Sequence, residues 1–290
     1  MPTRSTGPSA VLAAAAAAAV VTAAAAMLSP TTPAAAADGQ SADARLIRLA
    51  ISDVPALQTT AFHGVYGAAD SPVVGAPDDG GDFSDPDGVL DHITLEGSTV
   101  VRSSNNAAKV YGQTQNSGMS LYVKSMALIQ VRQRSGSVST LDTYAECTPP
   151  PVGPYALAYA RTAGSEIEVL GRQVPVGTTT LDVTGADLQE PGLGNSQLTV
   201  NYRPHEVPST GGQTPGVYRA EAWIDITVTG VLNDTDGQQV YSGPIVDLRL
   251  GEVHANCREM VTPTPTPTRT PTPTPTTPTP SPTTPPPCPR

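Results

Sequence analysis

The 290-residue chain carries 26 acidic and 16 basic side chains, a formal net charge of −10, and only 14% charged residues. That balance excludes a phosphate-tracking nucleic-acid binder, which needs clustered Lys and Arg, and it argues against docking on anionic lipid. Abundant Gly, Pro, Ser, Thr and Ala suit a secreted all-β protein better than a cytosolic α/β enzyme.

Residues 1–37 follow the order of a secretory signal: a positive end at Arg4, an apolar run from Val11 to Leu28, and small residues ending Ala35-Ala36-Ala37. Cleavage is expected after Ala37. A membrane-spanning helix is the competing reading, but the run is Ala-dominated and only weakly apolar, so no span is expected in the mature chain. No cysteine follows the run to take an N-terminal lipid. The chain from 38 to 261 is long enough for one β-rich domain with a real core, or two small ones. It carries a net charge of −13, which keeps a surface soluble and attracts cations.

Residues 38–91 read as a loosely structured N-terminal extension. Arg45–Ile51 fits a short strand or a turn of helix, and Pro55, Gly64, Gly67 and Pro72 punctuate the stretch after it. An acidic loop then runs from Pro77 to Asp91, with Asp78, Asp79, Asp82, Asp85 and Asp87 among its carboxylates. Carboxylates and glycines together offer oxygen ligands to calcium. The spacing departs from the helix-loop-helix calcium loop, which alternates its ligands and ends in Glu. The expectation is a solvated acidic turn.

From residue 92 the pattern is β. Ala107–Gln113 is a short candidate. Ser120–Gln133 alternates, with Leu121, Val123, Ala127, Ile129 and Val131 on one face. Ser135-Gly136-Ser137 turns the chain into Val138–Glu146, so 119–147 reads as an antiparallel pair. Pro149-Pro150-Pro151 breaks the sheet. Short candidates come next at Tyr155–Arg161, Glu166–Leu170, Thr179–Val183 and Gln197–Tyr202, with turns about every ten residues, as in a sandwich or barrel. Tyr218–Val231 is the strongest strand. Ala222, Ile224, Ile226 and Val228 share one face; Glu221, Trp223, Asp225, Thr227 and Thr229 share the other. Asn233–Gly237 supplies a tight turn, leading into a last strand region, Pro244–Ala255.

From Thr262 to Pro287 the chain is nearly all Thr and Pro. Proline fixes φ and removes donors, so this tail (262–290) is expected to be a disordered, extended spacer of roughly 80 Å. Thr-Pro tracts in exported proteins are often O-glycosylated. Of the three cysteines, Cys288 lies in that tail, and the simplest pairing for the other two is Cys147–Cys257. Two free buried thiols is the alternative.

A search for chemistry is mostly negative. Gly192-Leu193-Gly194-Asn195-Ser196-Gln197 begins like a dinucleotide loop but lacks the final glycine, and Ser196 has no nucleophile-elbow context. His63, His92, His205 and His254 are scattered, and His254 reads as structural. No motif asks for a cofactor or a metal, and no catalytic residue stands out. Carboxylates are numerous, but a glycosidase pair is defined by separation in space. Trp223, Tyr202, Tyr218 and Tyr241 are the candidates for a sugar-binding platform; the competing role for Trp223 is to cover the sheet.

Between the cysteines the order of segments is distinctive: Glu166–Pro175, then Thr180-Leu181-Asp182-Val183, Leu198-Thr199-Val200-Asn201, the strand ending Ile226-Thr227-Val228, and Asp247–Cys257. Over about residues 100–257 this resembles the actinobacterial choice-of-anchor P group and related sortase-anchored surface proteins. The resemblance implies a secreted, β-rich fold, often with a Pro/Thr-rich tail, and no catalytic residues. Thr284–Arg290 departs from it, having no LPxTG-like motif, apolar helix or basic end.

The sequence therefore predicts an all-β, antiparallel β-sandwich over residues 92–261. Its expected role is that of an exported, non-enzymatic protein, extracellular or associated with the cell wall. A module binding carbohydrate or cell-wall polymer and a secreted hydrolase are the alternatives.

Overall fold

A computed structural model of the chain describes residues 39–133, 141–162 and 165–257. The signal-like segment with Ala37, the Thr/Pro tail and Cys288 lie outside the described residues. The fold is all-β and antiparallel, and its two sheets stack face to face as a sandwich. The first sheet has the order β11(Gly177–Val183)–β12(Ser196–Val207)–β14(Arg219–Asn233)–β15(Gln239–Asn256)–β1(Ser41–Ile51)–β2(Phe62–Ser71).

The second sheet is built on β4(Ile93–Asn105) and β5(Val110–Val123), with β3(Ala76–Asp79) beside β4. The other edge of β5 is shared. β6(Met126–Gln133) pairs with its Met119–Val123 half and β7(Leu141–Thr148) with its Val110–Asn116 half. Both run antiparallel to β5, so β6 and β7 continue one line. β8(Tyr155–Arg161) pairs with β7, and β9(Ser165–Val169) with β6, continuing a second line. The short β10(Arg172–Gln173) and β13(Thr214–Pro215) finish the edge.

Two expectations are corrected. Residues 38–91 are no loose extension: β1 lies between β15 and β2 inside the first sheet, paired on both sides, and Ala44, Ile47 and Leu49 on it are at most 1% exposed. Ser120–Gln133 is likewise no single strand. It folds back at Lys124-Ser125 into the arms of β5 and β6, with Lys124 at φ 55°. Hence β6 and β7 pair with β5 rather than with each other.

Why β1 evades a pattern search is visible in its burial. Ala42, Ala44 and Leu46 point inward, and then Ile47, Leu49 and Ile51 do. The two-residue period changes phase between Leu46 and Ile47. β2 changes phase between Tyr66 and Gly67, and β15 between Leu250 and Gly251. Ile47 pairs with both Tyr66 and Leu250, so the three slips share one level. Gly67 and Gly251 take φ of 69° and 63°, a region natural to glycine. β14 keeps strict alternation, so the register breaks between β14 and β15, from Ala222↔Val253 to Ile224↔Leu250. This is a β-bulge in the β14–β15 ladder.

The sheets align strand over strand: β2 and β1 lie over β4, β1 and β15 over β5, β15 and β14 over β7, and β14 and β12 over β8. Inward residues near the chain ends are small, among them Ala44, Ala145, Ala158, Ala220, Ala222 and Ala255, all 0% exposed. The sheets approach closely there. A Cβ on Gly112 of β5 would lie 2.6 Å from the Asp43 carbonyl oxygen of β1. At this narrow end Cys147, closing β7, is joined to Cys257, just past β15, with Cα atoms 5.6 Å apart. The disulfide ties one sheet to the other. The first and last described strands also meet here, since Ser41 pairs with Asn256 and the Asn256 amide donates to the Gly39 carbonyl at 3.1 Å.

Candidate functional site

The outward face of the first sheet gathers most of the polar chemistry. Alternation on β14 turns Glu221, Trp223 and Asp225 outward, opposite the inward Ala222 and Ile224. Pairing sets His205 of β12 beside Trp223, and the two rings stack with centroids 3.6 Å apart and 15° between planes. The Arg249 guanidinium lies 4.5 Å from the Trp223 centroid, and the indole Nε1 donates to Asp225 Oδ2 at 2.7 Å. His254 approaches the same indole at a tilt, 6.0 Å between centroids, while its Nδ1 lies 3.0 Å from Asp43 Oδ2.

At the centre lies Glu252, whose side chain is 4% exposed. Arg48 of β1 and Arg249 of β15 are direct cross-strand partners, which on their own would repel. Glu252 bridges them. Arg48 donates Nε and Nη2 to Oε2 at 2.9 and 2.7 Å, and Arg249 donates Nη1 to Oε1 at 3.0 Å. Burial by itself would raise this carboxyl, but Arg48 first and Arg249 next outweigh burial and hold it below its ordinary value. Arg249 also donates Nε to Asp225 Oδ1 at 2.8 Å. The cluster is internally satisfied, which makes it a rigid cover for the sheet.

The second sheet carries a tyrosine ladder on its outward face. Tyr111, Tyr144 and Tyr159, from β5, β7 and β8, stack with centroids 6.0 and 5.4 Å apart and planes within 27°. Lys109 Nζ lies 5.1 Å from the Tyr111 centroid and Arg161 lies 3.9 Å from that of Tyr159, so a cation stands at each end. The Tyr144 hydroxyl donates to Glu146, which Lys109 also reaches at 2.8 Å. Burial, then the bond to Glu146, raise the Tyr144 phenol well above the ordinary range; burial and the Asp142 carboxylate raise Tyr159.

The predicted platform residues are dispersed. Tyr202 points inward at 3% exposure. Tyr218 is 41% exposed and lies beside the disulfide, where its carbonyl accepts the Cys257 amide at 2.9 Å. Tyr241 pairs with Leu232 at the far end of β14, and its hydroxyl donates to the Pro244 carbonyl. Trp223 alone faces outward on the sheet, with one ring face against His205. Sugar stacking needs free ring faces, whereas the tyrosine ladder, which sequence reading missed, spends its faces on one another. Cross-strand neighbours Tyr144 and Tyr159 become visible as a pair only once β7 and β8 are in register.

The acidic loop spends carboxylates on backbone amides of its own and of the neighbouring β2. Asp85 accepts from the Val89 and Leu90 amides at 2.8 Å each, Asp87 from the Val65 amide at 2.9 Å, and Asp82 from the Ser84 amide at 2.8 Å. That last bond, with the Ser84 hydroxyl, holds Asp82 below the ordinary carboxylate range. Among the described residues no group of three or more His, Cys, Asp or Glu side chains is arranged to hold a metal ion. No helix among them is long and apolar enough to cross a membrane.

No protein-family profile matches the chain, and neither a curated protein nor a solved structure matches it.

Proposed function

We propose that the chain is an exported, non-enzymatic protein that presents a disulfide-stapled β-sandwich outside the cell, free or associated with the cell wall. The observation that carries the reading is the bond between Cys147 and Cys257, both 0% exposed, which links the two sheets across a sequence separation of 110. Structural disulfides form and persist in oxidising, extracytoplasmic compartments. The signal-like order of residues 1–37 and the Thr/Pro run from Thr262 support the same reading. So does the likeness of residues 100–257 to sortase-anchored surface proteins. The geometry also suits presentation, because Gly39 and Cys257 leave the sandwich at one pole.

Expression of the full chain and of a chain lacking residues 1–37 tests the proposal, with medium, wall, membrane and cytosol separated. The expected result is a mature form outside the cytosol, starting at Asp38, with Cys147 and Cys257 resistant to alkylation until reduced. Recovery of the full chain in the cytosol, uncleaved and with both thiols free, would overturn it.

A further inference from the structure

Where the three strands change phase, the pairing of β1 with β15 steps from Arg45↔Glu252 to Ile47↔Leu250, past Leu46 and Gly251. Both of these residues are buried, and the glycine brings no side chain to that level. The space between the sheets there is a cavity of about 10 Å³, counted as room for the centre of a water molecule. Leu46, Leu250 and Gly251 close it on the first sheet, and Thr114, Asn116 and Thr143 close it on the second. The three polar residues are 2%, 4% and 1% exposed.

These three do not satisfy one another. Asn116 donates from Nδ2 to Thr99 Oγ1 at 3.2 Å, but among the described residues its Oδ1 meets no donor. The Thr114 and Thr143 hydroxyls lie 2.7 Å apart, so one donates to the other and the proton of the accepting hydroxyl is not used in the pair. One buried acceptor and one buried donor therefore line the same small cavity, and such groups are costly to leave unpaired. No ionisable side chain lines it, so an ion would find no counter-charge there.

We propose that this cavity is the binding site of one structural water molecule. The water donates to Asn116 Oδ1 and accepts from whichever threonine hydroxyl keeps its proton out of the Thr114–Thr143 pair. A buried water needs roughly 10–15 Å³ of such room and two to four polar partners, and an apolar cavity of the same size stays dry. Both conditions are met here, and the polar wall is what selects water. The site also accounts for the glycine at the slip: a side chain on Gly251 would point at the two hydroxyls and take the place of the water. The inference stands apart from export, since it concerns the folded domain wherever it resides.

Two measurements on the full chain test the site. A crystal structure that shows ordered water should place a density peak in the cavity, within hydrogen-bond distance of Asn116 Oδ1 and of a threonine hydroxyl. Magnetic relaxation dispersion of the water oxygen counts long-lived waters and is blind to exchanging hydroxyl protons. Its amplitude should fall by one water in the double variant Thr114→Val, Thr143→Val, which removes both hydroxyls together and leaves neither unpaired. It should fall equally in Gly251→Ala, whose methyl enters the cavity. Gly171→Ala, where a Cβ meets nothing within 4 Å, should leave it unchanged. Circular dichroism checks the fold of each variant, and the wild-type density decides the question even where a variant does not fold. A dry cavity, with the Asn116 amide turned so that Oδ1 accepts from Thr99, would overturn the proposal. So would a dispersion amplitude that is the same in the wild type and in both folded variants.

Discussion

Replacing Gly251 by alanine tests how the two sheets fit at the level where three strands change phase. An added Cβ would lie 2.5 Å from Thr143 Oγ1 and 2.6 Å from Thr114 Oγ1, far inside van der Waals contact. Those hydroxyls are bonded to each other at 2.7 Å on β7 and β5, facing Gly251 across the sandwich. Two costs arise. An L-residue held at φ 63° costs about 1–2 kcal/mol. Pushing the threonine pair aside costs about 1–3 kcal/mol more, as in other overpacked cores. The expected loss is therefore about 2–5 kcal/mol, or roughly 5–15 °C in Tm for a domain of this size. Gly171→Ala is the control. Its φ is 70°, almost the same, but its Cβ meets nothing within 4 Å, so only the backbone cost of about 1–2 kcal/mol applies. Urea unfolding of both variants supplies the comparison. Equal losses would show that Gly251 does not press on the facing sheet, and the packing argument would fail.

Three further outcomes are expected. Replacing Cys147 and Cys257 together by serine should lower stability by about 4–5 kcal/mol in the chain-entropy account; an unchanged urea midpoint would mean that the bond does not form. Arg48→Met should cost about 1–3 kcal/mol at pH 7, below the full cost of breaking a buried pair, because Arg48 is half-exposed and Arg249 stays in place. Glu252 titrates below its ordinary 4.5 in the fold, so its contribution is complete above that pH and is lost as pH falls through the lowered value. The difference between wild type and Arg48→Met should thus shrink in acid, and a difference independent of pH would refute the assignment. Absorbance titration should show Tyr66, Tyr144, Tyr159, Tyr202 and Tyr241 ionising late, because burial raises each above its ordinary 10.0. These phenols are held neutral by the fold, so that part of stability is present below pH 10 and declines above it; ionisation of these five near that value would contradict their burial.

Legibility in the sequence followed the regularity of each strand. β14 alternates without a break from Ala220 to Leu232, and its inward and outward sets are those its residues announce. β8 coincides with Tyr155–Arg161, and the turn at Asp234–Gly237 joins β14 to β15 as its Asp and Gly suggest. β1 is the counter-example. Two consecutive inward residues, Leu46 and Ile47, mimic neither a helix nor an alternating strand. The hairpin at Lys124-Ser125 was hidden for another reason: it has no Gly, Asn or Pro, and Leu121, Val123, Ala127, Ile129 and Val131 keep one parity across the turn, although past it Met126 and Leu128 are buried and Ala127 is not. The cysteine pairing was legible because two of the three cysteines fall at strand ends. The outward cluster was not, because Arg48 and Glu252 are 204 residues apart and meet only through the pairing of the first strand with the last.

The phase change that obscures β1 is also what makes the stapled end of the sandwich possible. Without the extra inward residue at Gly251, the parity of Val246, Leu248 and Leu250 would carry inward to Glu252 and His254, and would turn Val253, Ala255 and Cys257 out to solvent. Cys257 would then face away from Cys147 and the sheets would not be joined. On β1 the parity of Ile47, Leu49 and Ile51 would bring Arg45 and Asp43 inside and leave Ala44 and Ala42 outside; on β2 it would bury Asp70. The three slips send five ionisable residues, Asp43, Arg45, Asp70, Glu252 and His254, to the outer face together. There Arg45 pairs with Asp70 at 2.7 Å, His254 with Asp43 at 3.0 Å, and Glu252 with its two arginines. In their place small residues line the interior, which lets the sheets close to disulfide distance. Glycine is needed at Gly67 as well, where a Cβ would lie 2.9 Å from the Leu46 Cβ on the neighbouring strand. A single slipped strand would break its pairing on both sides. Three adjacent slips at one level confine the cost to the β14–β15 ladder, where Trp223 lies opposite the extra residue.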